Sequence, residues 1–159
     1  MTDHLSLLID RLAEPGQPAT LYRALEETTR ALVGHRLFTL LYVDGQDVAR
    51  VWSSHPAQYP VTGRKTMGAT PWGKQVLIEK RAFLGRDMDA IRWAFYDHEL
   101  IASLGCGASI NIPVVYDGAA IGTMNLLDAE FAYDEDHVAR VRPLAAALVP
   151  AFLLARRQA

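Results

Sequence analysis

The stretch LGCGASINIPVVYDGAAIGTMNLL, Leu104 to Leu127, decides the fold. Two strand-like runs flank Asp117-Gly118, a pair suited to a tight two-residue hairpin turn. Successive side chains of a strand point to opposite faces. Ala108, Ile110 and Ile112 therefore share one face, and Ser109 and Asn111 fall on the other. In the return run Thr123 and Asn125 share a face in the same way. No Lys, Arg or Glu occurs in the stretch. A solvated strand face normally carries such residues, so a face of small neutral hydrogen-bonding groups fits the floor of a ligand pocket.

Working outward, Asp97 caps a helix that stops at Gly105. Tyr133-Asp134-Glu135-Asp136 opens a long last helix. In it Val138, Val141, Ala145, Leu148, Phe152 and Ala155 recur by three and four, with Leu144, Ala147, Ala151 and Leu154 alongside. That arc is wider than one packing layer needs, and Pro143 and Pro150 predict a kink. Towards the N-terminus, residues 3–13 form a short amphipathic helix ended by Pro15-Gly16-Gln17-Pro18. A second helix opens at Pro18, presents Leu21, Leu25, Thr28 and Leu32, and ends at Gly34. Leu37–Val43 and Val48–Ser53 read as strands joined by an Asp44-Gly45 turn. Val61–Thr66 reads as a short edge strand. Thr70-Pro71 opens a helix through Lys80, Ala82–Leu84 a short strand, and Asp87 caps a helical turn through Trp93. Two end helices, two hairpins and a helix-rich crossover between them give an α+β fold with an antiparallel sheet.

Composition narrows the function classes. At 159 residues the chain fits one domain. Half of it is hydrophobic, which excludes global disorder. Sixteen basic and eighteen acidic residues leave a net charge of −2, so nothing favours nucleic acid or an anionic membrane surface. No apolar run approaches the roughly 20 residues of a membrane span, and the N-terminus lacks a signal-peptide pattern. A single Cys makes no internal disulfide, and a cytoplasmic location is expected. The five His residues are dispersed without ligand spacing, so no metal site is expected.

The run from Leu104 to Val114, then Asp117-Gly118, then Ile121 to Leu127, resembles the C-terminal half of a GAF domain. The resemblance is most specific over 96–135 and extends over about 17–157. It implies a single domain over 1–159, with 1–16 an N-terminal helix and turn and 17–157 the core. It implies an antiparallel sheet with the terminal helices on one face. On the other face a helical crossover covers a pocket. Cyclic-nucleotide-binding relatives carry Asn-Lys, then Phe, then Asp-Glu. Asn125, Phe131, Asp134 and Glu135 match, but Leu126 stands where the Lys belongs, so that ligand is not indicated. His98 lies seven residues before Gly105, as does a His packed on bilin in phytochrome relatives. Asp97 precedes it where some of those proteins carry the attachment Cys, and no Cys lies upstream, so covalent bilin is excluded. Relatives that reduce free methionine sulfoxide use several cysteines, and this chain has only Cys106.

The expected function is binding of an unidentified small organic ligand by a sensory module that acts in trans on a signalling partner. Expected ligand-binding residues are Trp72, Trp93, Tyr96, His98, Ser109, Asn111, Thr123 and Asn125. Trp52 and Phe95 complete an aromatic group concentrated in or near the crossover. No catalytic residue is expected. The alternatives are a single-thiol redox enzyme at Cys106 and a dimerisation module without ligand. The wide stripe of the last helix predicts a homodimer through the terminal helices.

Overall fold

The computed structural model describes residues 3–158. Met1, Thr2 and Ala159, the ends of the expected domain, lie outside the described residues.

Two N-terminal helices, α1 (His4–Arg11) and α2 (Ala19–Val33), lead into the hairpin of β1 (Leu37–Asp44) and β2 (Asp47–Ser53). A loop and the short β3 (Lys65–Thr66) follow. The crossover contains α3 (Pro71–Gly73), a π-helical turn over Lys74–Ile78, β4 (Phe83–Gly85), α4 (Met88–Ala94) and α5 (His98–Ser103). The second hairpin is β5 (Ala108–Tyr116) and β6 (Ala119–Asp128). The chain closes with α6 (Glu135–Val141), a 3-10 stretch over Arg142–Leu148 and α7 (Val149–Gln158). The strands form one sheet in the order β3-β2-β1-β6-β5-β4, and every pairing is antiparallel.

Local chemistry accounts for these elements. Asp117 and Gly118 both have positive φ, 52° and 77°, as a type I′ hairpin turn requires. Thr70 and Asp87 accept backbone N–H bonds from Gly73 and Ala90, capping α3 and α4. Asp134 and His137 form a reciprocal capping box at the start of α6.

Four sequence readings shift. The helix expected from Pro71 through Lys80 is one α-turn followed by a π-turn, and Lys80 leaves it with φ +57°. The Val61–Thr66 strand shrinks to Lys65–Thr66. The first hairpin turns on Gly45 and Gln46, because Asp44 and Asp47 are still paired. Asp97 precedes α5, but its side chain makes no capping bond.

The alternation of the second hairpin sorts the two layers. Ala108, Ile110, Ile112, Met124 and Leu126 join Leu8, Leu21, Leu25, Leu148 and Phe152 in the main core. The terminal helices therefore cover that face. On the crossover face Leu37, Tyr59, Ile91, Ile101, Cys106 and Leu127 form one cluster, and Trp72, Val76 and Phe83 a second.

The wide stripe of the last helix is explained within the chain. Val141, Leu144, Ala145, Ala147, Leu148 and Phe152 are buried, on the sheet below and against α1 and α2 beside it. Pro143 sits in the 3-10 stretch that breaks the helix. Taken together, Glu135–Arg157 is one 23-residue helical run, long and apolar enough to cross a membrane by length and composition. That corrects the expectation that no run is long enough. In this fold its buried side chains pack on the sheet.

Candidate functional site

A cavity of about 390 Å³ opens on the crossover face of the sheet, within the usual range for small-molecule sites. Its floor is Thr39 and Leu41 of β1, Asn111 of β5, and Asn125 and Leu127 of β6. One wall comes from β2, β3 and their loop, with Arg50, Tyr59, Thr62 and Lys65. Trp72, Phe95, Asp97 and Ile101 close the other side.

The floor is held by a hydrogen-bonded ladder across three strands. Ser109 Oγ meets Asn111 Oδ1 at 2.7 Å, Asn111 Nδ2 meets Asn125 Oδ1 at 2.8 Å, and Asn125 Nδ2 meets Thr39 Oγ1 at 3.2 Å. The strand register makes this possible, since Asn125 lies opposite both Asn111 and Thr39. A hydroxyl–amide–amide–hydroxyl chain can run in either direction. In both directions each amide uses one N–H in the ladder and keeps the second.

The walls mix charge and aromatic surface. The Arg50 guanidinium lies 3.7 Å from the Tyr59 ring centroid and donates to the Pro60 carbonyl at 2.8 Å. Tyr59 donates its phenol to Asp97 at 2.7 Å. Burial, then the Asp97 charge, push the Tyr59 phenol well above its ordinary range, so it stays a donor. Trp72 and Phe95 pack 5.9 Å apart at 51°. The Trp72 indole N–H is buried without a hydrogen-bond partner among the described residues.

Of the eight expected site residues, Trp72, Tyr96, Asn111 and Asn125 line the cavity. Tyr96 is 88 % exposed and stands at the mouth. Ser109 is fully buried at the far end of the ladder, outside the lining. Thr123 lies on the same sheet face, its hydroxyl buried without a partner among the described residues. Trp93 and His98 are not in the lining. Trp93 stacks on Phe83 from outside, with centroids 5.5 Å apart.

Trp52 faces the opposite layer, packed on Tyr22 and donating to Glu26 Oε1 at 2.9 Å. The cause is a β-bulge. Leu40 pairs with Trp52 and Leu41 with Arg50, which leaves Val51 as an extra residue. Val48 and Arg50 therefore face the cavity while Trp52 does not. Arg50, Tyr59, Lys65 and Thr39 are among the lining residues the sequence reading missed. Strict alternation groups Arg50 with Trp52, and Tyr59 lies in a loop with no periodicity.

Cys106 is buried beside Ile101 and Leu127 and lies outside the lining. Burial, then the nearby Asp128 carboxylate, raise its thiol to about 11. At neutral pH the reactive thiolate is suppressed. Among the described residues no three His, Cys, Asp or Glu side chains gather as metal ligands would.

Solved structures of similar fold include GAF domains and an enzyme. The GAF domain of an Acinetobacter phosphoenolpyruvate-protein phosphotransferase superposes with a TM-score of 0.73 at 12% identity, covering 99% of this chain and 97% of that one. The GAF domain of a two-component sensor histidine kinase from Bacillus halodurans gives 0.71 at 11% identity, covering 89% and 97%. A type II free methionine-R-sulfoxide reductase from Thermoplasma acidophilum gives 0.64 at 10% identity, covering 95% of each chain. At such identities these likenesses show the fold alone. No curated protein matches the sequence. The family model of the GAF domain matches residues 17–152, most of the chain and all of the cavity described above: the protein belongs to the GAF domain family, whose members are in general sensory, ligand-binding modules.

Proposed function

We propose that this GAF domain reversibly binds a small organic molecule in the cavity and passes its occupancy, through the terminal helices, to a signalling partner in trans. The observation that carries the reading is the buried, unpartnered Trp72 N–H in the wall of a cavity floored by two amides with N–H groups to spare. Buried donors without partners are costly, and an occupant carrying acceptors would offset that cost. Transmission has a physical path. On β5 and β6, Asn111, Asn125 and Leu127 floor the cavity, while the neighbouring Ile110, Ile112, Met124 and Leu126 pack in the core beneath the terminal helices. A change in the floor is thus felt one residue away in the helical layer, and small helix shifts are a common switching element. The lone buried Cys fits a reducing, cytoplasmic setting. The same helices are proposed to pair two copies of the chain.

Native mass spectrometry of freshly purified protein tests the reading. A retained small molecule, released on denaturation, is expected. Cys106→Ala should retain it equally, because the thiol lies outside the cavity. No retained mass and no thermal stabilisation across a metabolite library would leave a dimerisation module without ligand. Loss of a measured turnover in folded Cys106→Ala would favour the thiol enzyme.

A further inference from the structure

The charges around the cavity narrow the ligand class. Two cations line it, Arg50 and Lys65, and one carboxylate, Asp97. Two positive charges less one negative leave a single net positive charge. Asp97 is already engaged by the Tyr59 phenol. Arg50 is not matched in this way. It carries five N–H donors, spends one on the Pro60 carbonyl, and pairs with no carboxylate among the described residues. Its neighbour Arg64, by contrast, is tied to both Asp44 and Asp47. The Arg50 guanidinium lies 3.7 Å over the Tyr59 ring centroid, a contact that restricts its movement, and a guanidinium fork suits a flat two-oxygen acceptor. Beyond it lie Leu41, Ile101 and the Trp72–Phe95 pair, an apolar and aromatic slot. Buried in that slot is the unpartnered Trp72 N–H.

We propose that the occupant is a small planar monocarboxylate. Its carboxylate sits on Arg50, its ring packs against Trp72 and Phe95, and its other acceptor atoms take the Trp72 and floor-amide N–H groups. This rests on the small-molecule reading above. A monoanion balances the single net charge. A phosphate monoester, closer to two charges at neutral pH, would exceed it and face Asp97.

Calorimetric titration with nicotinate, isonicotinate and pyrazine-2-carboxylate, whose ring nitrogens supply the further acceptors, tests the class, each against its neutral amide, with phenyl phosphate as the second anion. At least one carboxylate is expected to bind, with its amide about tenfold weaker or more. Arg50→Gln should erase that preference. Trp72→Phe should weaken binding and keep the preference. Circular dichroism reports whether Arg50→Gln folds. If it does not, Arg50→Lys keeps the charge but loses the fork, and should narrow the preference. Equal binding of acid and amide, tighter binding of phenyl phosphate, or an unchanged preference in the Arg50 variants overturns the proposal. So does the absence of binding by every carboxylate. A neutral molecule retained in the native mass spectrum overturns the class and leaves the binding function standing. An empty spectrum with no binding overturns both.

Discussion

Asn125 joins three strands through one side chain, meeting Asn111 on β5 and Thr39 on β1. Replacing it with Leu leaves two buried partners unsatisfied. Asn125→Leu should cost about 2 kcal/mol in urea unfolding, and the double variant with Asn111→Val less than the sum of the two singles. Additive costs would mean that the ladder is not a coupled unit. His35 makes a different kind of claim. Its Nε2 lies 3.1 Å from the Glu26 carbonyl and 3.1 Å from Thr29 Oγ1, while Nδ1 is buried without a partner among the described residues. Protonating Nδ1 would bury an N–H with no acceptor. Burial lowers the His35 pKa below its ordinary 6.5, with the Glu26 carbonyl opposing the shift and Arg30 adding to it. The unfolded chain then binds the proton first, so this contribution to stability is full above about 6.5 and is lost as the pH falls towards the lowered folded value. An NMR titration should place His35 below 6.5, and His35→Gln should flatten stability over that window. A folded value at or above 6.5 would refute this account.

At the scale of elements, the second hairpin was readable from sequence because two rules agree there. The Asp117-Gly118 pair has the positive φ values its turn demands, and alternation holds in both flanking strands up to the bulge near Ile121. Asn111 and Asn125 could therefore be placed on the cavity floor without a structure. The first hairpin was legible as a pair of strands, but not in its facing. The single residue inserted at Val51 reverses parity beyond it, and nothing in its composition announces the insertion. Trp93 misled for another reason. Aromatic content says that a segment is buried somewhere, not against which surface, and Trp93 packs on the outer side of Phe83. The π-turn over Lys74–Ile78 has no periodicity of its own to read. Gly122 is also silent in sequence and decisive in packing. A Cβ there would overlap the Phe152 ring of α7 and the Leu41 carbonyl of β1. Gly122→Ala should cost about 1–3 kcal/mol, with the lowest-stability amide exchange appearing in α7. A variant as stable as the parent protein would mean that Phe152 yields freely and that the helix is loosely coupled to the sheet.

At the scale of the whole molecule, the structure moves the basis of the proposed dimer. The broad stripe of the last helix is consumed within one chain, with Leu148 and Phe152 fully buried. Leu148→Glu would therefore place a charge in the core and report on folding rather than on association. What remains for a partner is smaller. α1 exposes Leu7 and Ile9, at 54% and 46%, and α7 exposes Leu154 at 41%. These side chains sit on the layer that the cavity floor presses from beneath, so a partner seated there would feel the ligand. A two-fold pairing would cover the same residues on both copies. Sedimentation equilibrium at micromolar concentration should return twice the chain mass. Leu7→Glu with Ile9→Glu should return the single mass while circular dichroism and ligand binding stay unchanged. These are surface positions, so the expected cost in stability is within about 0.5 kcal/mol, and a shift in mass cannot be assigned to unfolding. A parent protein that sediments as a clean monomer removes the two-fold pairing. The terminal helices would then carry the signal to a partner of a different kind, while the cavity and its occupant are unaffected.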